Sequence, residues 1–269
     1  MSAPELRDDD RLQRFGTIVV VGGGCYGSYY VRQLRRAARA GALTATRILV
    51  VDHDPACAVA REPVESASSD PPIEIRVDDW SRFFAAYLGE AVANPDAVER
   101  DAIVPSPLMP HLMGEWLVAR ARERYGERAV TDQPFGRLPS VPWERAGAPG
   151  THYVSFATWM CPINCVEPRT CPHTRDTRSW SLPVRIGEHA AERTDAGEHV
   201  VAATLFCRHR SYGVGMFDTA EVIAAHESIM AAGERGSAEI IIGTVSHCHG
   251  ALTRLLIREP AELTDSPVL

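Results

Sequence analysis

Short runs of β-branched and aliphatic residues alternate with longer amphipathic stretches along most of the 269-residue chain. Uninterrupted apolar runs of this kind are typical of strands that are buried on both faces of a sheet. The runs that we interpret as strands cover residues 17–21, 46–51, 73–77, 102–104, 152–158, 200–206 and 238–245. The stretches that we interpret as helices cover residues 25–40, 80–88, 112–125, 219–232 and 250–257. Strands alternating with helices predict an α/β fold with a doubly wound, mostly parallel sheet.

Composition narrows the classes of function that the chain can serve. Hydrophobic residues make up 45% of the chain and charged residues 23%, which are ordinary values for a globular protein. The net charge of −7 argues against a general nucleic-acid surface or an anionic-membrane surface. All 28 basic residues are arginine, so mechanisms that need a catalytic lysine are excluded.

The distribution of apolar residues also bears on where the chain works. No run reaches the roughly 18 to 20 apolar residues of a membrane span, and residues 1–14 lack the apolar centre of a signal peptide. We therefore expect a cytoplasmic protein. In that reducing compartment its seven cysteines should be thiols or metal ligands, because structural disulfides are rare there.

A glycine-rich turn follows the first predicted strand and opens the first predicted helix. Gly22, Gly24 and Gly27 satisfy the pattern G-x-G-x-x-G. The first glycine allows a tight turn, the second lets the backbone approach a pyrophosphate, and the third lets the helix pack on the strand. Asp52 stands 25 positions after Gly27, at the end of the second predicted strand, where an acidic residue holds ribose hydroxyls.

These residues resemble the fingerprint of the Rossmann-fold NAD(P)-binding superfamily, over about residues 17–55. The resemblance implies that NAD(H) binds at Gly22, Gly24, Gly27 and Asp52. An acidic residue at Asp52 implies a preference for NAD, because a carboxylate repels the 2′-phosphate of NADP. Similar glycine turns occur in adenylating enzymes and in flavin or S-adenosylmethionine binders, although the Asn–Arg pair of the adenylating enzymes is not evident here.

The resemblance and the composition together suggest a division of the chain. We expect a Rossmann-like dinucleotide-binding domain over residues 1–130. Residues 131–150 are rich in proline and glycine, as in a boundary or a long loop. We expect a cysteine-rich, metal-binding α/β region over residues 151–269, either separate or completing the first domain.

Three cysteines, Cys161, Cys165 and Cys171, fall within eleven residues, and two of them precede proline. Thiolates at this density favour zinc or an iron–sulfur cluster over hard cations. The spacing C-x3-C-x5-C matches neither the ferredoxin patterns nor the C-x2-C pairs of structural zinc sites. The cysteines therefore predict a metal centre, and we favour a 4Fe–4S cluster over zinc because of the Cys-Pro pairs and the neighbouring dinucleotide fold.

A four-cysteine centre needs one more thiolate, and two cysteines are alternatives for it. Cys207 and Cys248 each follow a predicted strand, at the kind of strand-to-loop junction where ligands converge in open α/β folds. A small buried hydrophobic role is as plausible for each of them. Cys25, inside the glycine turn, and Cys57, which we expect near the surface, are poorer candidates.

Two hypotheses about function follow from these motifs. The first is an NAD(H)-binding redox enzyme with a cysteine-ligated iron–sulfur cluster, acting on a small molecule or with a redox partner protein. The second is a non-catalytic module that senses nucleotides or redox state and carries structural zinc. Metal content discriminates between them, because iron with sulfide favours the first and zinc favours the second.

Overall fold

The computed structural model describes residues 12–62, 67–130, 135–147, 150–159, 161 and 165–259. Its strands are β1 (Gln13–Val21), β2 (Leu43–Asp52), β3 (Ile73–Val77), β4 (Ala102–Val104), β5 (Ala129–Val130), β6 (Trp143–Ala146), β7 (Thr151–Ser155), β8 (Val200–Phe206), β9 (Arg208–His209), β10 (Gly215–Asp218), β11 (Ala238–Val245) and β12 (His249–Ile257). Its α-helices are α1 (Cys25–Arg39), α2 (Ala58–Arg61), α3 (Trp80–Ala93), α4 (Leu112–Tyr125), α5 (Leu182–Asp195) and α6 (Thr219–Arg235). The α/β class expected from the sequence is confirmed.

The chain divides into two units that are each assembled from several segments. Unit 1 is drawn from residues 1–112, 161–179 and 207–223, and unit 2 from residues 113–160, 180–206 and 224–269. Neither unit is a continuous stretch of sequence. The change in composition around residues 131–150 does not indicate that the chain passes several times between the two units.

The sheet of unit 1 has the strand order β3-β2-β1-β4-β10-β9. β3, β2, β1 and β4 pair in parallel, whereas β10 runs antiparallel to both β4 and β9. Residues 17–21 of β1 are all buried, which fits a strand with neighbours on both sides and covered faces. The parallel direction places the carboxyl ends of β1, β2, β3 and β4 at one edge of the sheet.

The core of unit 1 forms where helix α1 packs on this sheet. Val31 and Leu34 of α1 lie against Ile18 and Val20 of β1 and their β2 neighbours, and all are almost fully buried. Apolar residues three positions apart lie on one face of a helix, so α1 presents a continuous apolar stripe to the strands. This packing fixes the start of α1 directly above the end of β1.

The sheet of unit 2 is mixed and has the order β6-β7-β12-β11-β8. Only β8 and β11 pair in parallel within this order, and the β11–β12 connection is an antiparallel hairpin. Every residue of β11 is buried. Ile186 of α5, Ile241 of β11 and Leu252 of β12 belong to the core on one face of this sheet.

A buried ion network spans one end of β11 in unit 2. Glu239 accepts hydrogen bonds from the Arg254 guanidinium at 2.8 and 2.6 Å and pairs with Arg193, which also binds Glu198. Burial raises the pKa of Glu239, but the hydrogen bonds and charges of Arg193 and Arg254 outweigh it, so the pKa lies below its ordinary value. The ionised carboxylate is thus favoured by folding.

We expect Glu239→Gln to lower the free energy of unfolding by about 2 kcal/mol at pH 7, because charged hydrogen bonds to two arginines are lost. The Glu239 pKa is depressed by folding, so this contribution is fully present above the unfolded pKa near 4.5. It disappears as the pH falls through the lower folded pKa. Urea unfolding of both proteins across this range should show the deficit shrinking with acidification. A deficit that is independent of pH would contradict the ionic origin.

Most of the predicted elements are confirmed, with boundaries shifted by a few residues. The exceptions have physical reasons. Residues 250–257, predicted as a helix, form β12, because the fully buried strand β11 is paired on both sides, by β8 and by β12. Helix α5 was not predicted, because it begins at the end of a segment, residues 161–183, whose prolines and cysteines interrupt any helical periodicity. Pro183 nevertheless stands in the first turn of α5, where proline is tolerated. The short elements β5, β6, β9, β10 and α2 were not predicted, because none of the four strands carries a run of three or more aliphatic residues like that of the equally short β4, and α2 is a single turn.

No helix within the described ranges combines the length and the apolar character that crossing a bilayer requires.

Candidate functional site

The glycine turn predicted from the sequence joins β1 to α1 at the carboxyl edge of the unit 1 sheet. Gly22 adopts a φ of +83°, in the left-handed region that favours glycine. Its N–H donates to the carbonyl of Val51 at 2.9 Å, which ties the turn to the neighbouring strand β2. Gly22 therefore serves the tight turn, as the first position of the pattern requires.

Gly27 is required by packing inside the chain. A Cβ atom added at Gly27 would lie 1.9 Å from the carbonyl oxygen of Gly22 and 2.9 Å from its carbonyl carbon. Backbone atoms cannot move aside as a flexible side chain can. The third glycine thus allows the first turn of α1 to approach the end of β1.

Gly24 differs from the other two glycines, because neither a left-handed φ nor a close contact accounts for it. Its φ of −72° lies outside the left-handed region, and it is the N-cap of α1, where glycine is one of several favoured residues. Among the residues that the structure describes, none beyond its chain neighbours would lie within 4 Å of a Cβ atom added there. The backbone at Gly24 therefore faces open space at the N-terminus of α1, a 15-residue helix.

Asp52 is brought to this turn, but its carboxylate already has partners. One oxygen, Oδ2, accepts the N–H of Gly23 at 2.6 Å, and Oδ1 accepts the N–H of Asp54 at 2.8 Å. The side chain is only 9% exposed. The sequence predicts that Asp52 holds ribose hydroxyls, whereas in the structure its carboxylate accepts these two backbone N–H groups and lies 3.5 Å from His53 Nδ1.

Two residues that sequence reasoning did not assign to the site pack around the turn. The Trp80 indole N–H donates to the Val51 carbonyl at 2.8 Å, and its ring lies 3.7 Å from the Cβ position of Gly22. Cys57 lies beneath Gly23, where an added Cβ would be 2.4 Å from its Sγ. The expectation that Cys57 lies near the surface is wrong: it is 4% exposed, because its thiol fills the space under the glycine.

Trp80 could have been found from its position, since it comes three residues after the end of β3 and therefore lies at the same edge as Gly22 and Asp52. Aromatic residues at strand ends carry no pattern of their own, and this one was assigned only to the helix α3.

The cysteines predicted to bind a metal are divided between the units. Cys161, Cys165, Cys171 and Cys207 belong to unit 1, and Cys248 belongs to unit 2. Among the residues that the structure describes, no three His, Cys, Asp or Glu side chains are grouped so that they could hold a metal ion. The described cysteines therefore do not present a preformed metal site.

Cys171 is the loop cysteine whose surroundings favour a thiolate. Burial raises the pKa of its thiol, but hydrogen bonds from the backbone of Thr174 and His173 and from the Thr174 hydroxyl outweigh burial, so the pKa lies below its usual value. The charge of Arg178, which is 7% exposed, acts in the same direction. These are the surroundings of an anionic sulfur ligand.

The two alternatives for a fourth ligand have neutral or engaged thiols. Burial, with the carboxylates of Glu167 and Glu221, raises the pKa of Cys207 to about 12. Cys207 also packs so closely on Gly215 that an added Cβ would be 2.9 Å from its Sγ. In unit 2 the Trp180 indole N–H donates to the Sγ of buried Cys248 at 3.3 Å.

His247, next to Cys248, belongs to a contact that ties a helix to a hairpin. Its Nδ1 lies 2.9 Å from the Ser181 hydroxyl, and its carbonyl accepts the N–H of Leu182 at 2.9 Å. Both contacts hold the start of α5 against the β11–β12 turn.

Comparison with known families gives one result. A family model, AF_1314_C, described as "Uncharacterized protein, C-terminal domain", matches residues 113–258, which is more than half of the chain. Comparisons with curated proteins and with solved structures give no match. The glycine turn and Asp52 lie outside the matched range, so the family relationship does not bear on them.

Proposed function

The chain belongs to the AF_1314_C family, whose description names no activity, and we propose that it binds a dinucleotide, NAD(H), at the glycine turn of unit 1. The turn spans Gly22 to Gly27 and lies at the carboxyl edge of the parallel strands, where ligands bind in open α/β sheets. The open α1 N-terminus supplies backbone N–H groups for the pyrophosphate.

The conformation of Gly24 is the observation that carries this proposal. Gly22 and Gly27 are explained by the chain itself, through a positive φ and a backbone contact. Gly24 is explained by neither, since its φ is negative and no described residue beyond its chain neighbours lies within 4 Å of its Cβ position. A glycine with this open side at the start of a helix is what the second position of a dinucleotide fingerprint provides, because the backbone there can approach a pyrophosphate.

The strand order adds independent support for a Rossmann-like unit. β3-β2-β1, all parallel, is the order of one mononucleotide-binding half of that fold, and parallel β4 lies where the first strand of the other half is found. β10 and β9, antiparallel additions beyond β4, depart from it.

The residues around the turn have distinct roles in this proposal. Gly22 and Gly27 shape the turn, Gly24 leaves room for the pyrophosphate, and Asp52 holds the Gly23 amide. Trp80 borders the turn beside Gly22. Bound NAD(H) would supply hydride transfer, consistent with a redox role toward a small molecule or a redox partner protein in the cytoplasm. A nucleotide sensor would use the same binding contacts without turnover.

Calorimetric titration tests the proposal directly. The protein should bind NAD+ or NADH with one site per chain, and more tightly than flavin adenine dinucleotide or S-adenosylmethionine. Tighter binding of either competitor would reassign the site to that ligand. No heat with any of these compounds would remove the nucleotide-binding function.

The iron–sulfur or zinc centre is a separate proposal, and Cys171 is the observation that favours it. Cys161, Cys165 and Cys207 share unit 1 with Cys171, whereas Cys248 belongs to unit 2. Membership of the same unit favours Cys207 as the fourth ligand, while the raised pKa of its thiol opposes it. Metal and sulfide analysis after anaerobic purification decides between the alternatives. Iron with sulfide supports the redox enzyme, stoichiometric zinc supports the sensing module, and the absence of both removes the centre.

A further inference from the structure

The acidic residues beside the glycine turn differ in how far their carboxylates are already committed. Asp52 is 9% exposed in its side chain and Asp54 is 45% exposed. Asp52 is the last residue of β2, and Asp54 comes two residues later. This difference decides which of them can meet a bound ribose.

The carboxylate of Asp52 is used to hold the turn. Its oxygens accept the N–H groups of Gly23 and Asp54, at 2.6 and 2.8 Å. The carbonyl of Gly23 in turn accepts the N–H of Val59 at 3.0 Å. Gly23 is therefore fixed from both sides, and Asp52 is one of the two fixing groups.

The carboxylate of Asp54 remains accessible. Its Oδ1 accepts the N–H of Ala56 at 2.8 Å within its own loop, while its Oδ2 lies 3.5 Å from the exposed guanidinium of Arg61. A carboxylate oxygen has two lone pairs, so Oδ2 retains capacity for a hydroxyl donor. Arg61 is 69% exposed, and its Nε donates to the Ala56 carbonyl rather than to Asp54.

Position along the sheet also favours Asp54 over the acids that follow β3. β2 is the direct neighbour of β1, which carries the glycine turn, whereas β3 lies one strand further away. Neighbouring strands are about 4.8 Å apart. Asp79, moreover, caps α3 by accepting the N–H of Arg82 at 2.9 Å.

We propose that Asp52 is a positioning residue that fixes the glycine turn, and that Asp54 is the residue that selects a ribose diol over a 2′-phosphate. This inference rests on the proposed dinucleotide function. It moves the selection of NAD over NADP from the buried acid to the exposed one. The physical basis is that an exposed carboxylate can both accept ribose hydroxyls and repel a phosphate dianion.

The test compares Asp52→Asn, Asp54→Asn and the matched control Asp79→Asn, with calorimetric Kd values for NAD+ and NADP+. In Asp54→Asn the ratio of the two Kd values should shift about tenfold toward NADP+, because a nearby negative charge is removed. In Asp52→Asn both Kd values should rise by a similar factor of about ten, with the ratio unchanged, because the turn is loosened. Asp79→Asn should leave the ratio unchanged.

A measurement without nucleotide separates the two roles from nucleotide binding itself. The Gly23 amide proton, in a short bond to a carboxylate, should resonate downfield and move upfield in Asp52→Asn only. A ratio that changes in Asp52→Asn but not in Asp54→Asn would overturn the assignment. If the unaltered protein binds neither nucleotide, the Asp54 role falls with the proposed function. The Gly23 amide resonance still tests the positioning role of Asp52. That role is wrong if the resonance does not move in Asp52→Asn.

Discussion

Replacement of Gly24 with valine is expected to abolish dinucleotide binding while the protein stays folded. The φ at Gly24 lies outside the left-handed region, and no described residue beyond its chain neighbours lies within 4 Å of the Cβ position. The cost to the fold is therefore the loss of a glycine N-cap, about 1 kcal/mol. The isopropyl group would occupy the space through which a pyrophosphate reaches the α1 amides. We expect Kd for NAD+ to rise by at least about 100-fold, which corresponds to about 2.7 kcal/mol.

The matched control for this experiment is Gly89→Val. Gly89 lies in α3 of the same unit, and of the described residues outside its own helix turn none lies within 4 Å of its Cβ position. Both variants should keep the thermal unfolding midpoint of the unaltered protein within a few degrees, and only Gly24→Val should lose binding in calorimetry. Equal affinity in Gly24→Val and Gly89→Val would show that the ligand does not approach the turn at this glycine.

Substitution of Gly27 with alanine should have the opposite signature, a loss of stability. The added methyl carbon would be placed 1.9 Å from the Gly22 carbonyl oxygen, so the start of α1 or the end of β1 must shift. Forcing a methyl group into a closed contact of this kind costs about 3 kcal/mol. Denaturant unfolding should therefore show a lower midpoint with an unchanged dependence on denaturant concentration.

Gly24→Ala serves as the control for this prediction, because it adds the same methyl group three residues away in open space. We expect its free energy of unfolding to fall by no more than about 1 kcal/mol, because alanine is a poorer N-cap of α1 than glycine. If Gly27→Ala and Gly24→Ala have the same stability, the close packing of α1 on β1 is not what Gly27 provides.

The first βαβ segment was predictable because its determinants are local. Fully apolar strands, glycines at fixed offsets and the amphipathic helix Cys25–Arg39 all specify the same arrangement within about forty residues. The other confirmed strands, β3, β4, β7, β8 and β11, were predictable for the same reason, since each is marked by its own run of apolar or β-branched residues. Asp52 was also found by its offset from the glycines, since the end of the second strand is fixed by the first.

The role of Asp52 was less accessible, because it depends on which backbone N–H groups face the carboxylate in three dimensions. The strand β12 was missed for a related reason: an apolar stretch of eight residues fits a helix or a strand, and only the pairing of β11 decides between them. The chain passes several times between the two units, and no local sequence pattern marks the positions at which it does so. Trp80 lies beside the turn because it comes shortly after the end of β3. The apolar periodicity around Trp80 indicates only that it belongs to a helix.

The most direct test of nucleotide binding at the Gly22–Gly27 turn is an amide chemical-shift titration of the isotope-labelled protein with NAD+. The amides of Gly23, Gly24 and Cys25 should shift saturably, together with the Trp80 indole resonance beside Gly22. The Trp143 indole, in unit 2, should stay in place. Saturable shifts that spare the turn and appear elsewhere, or no shifts at millimolar NAD+, would contradict binding at this site.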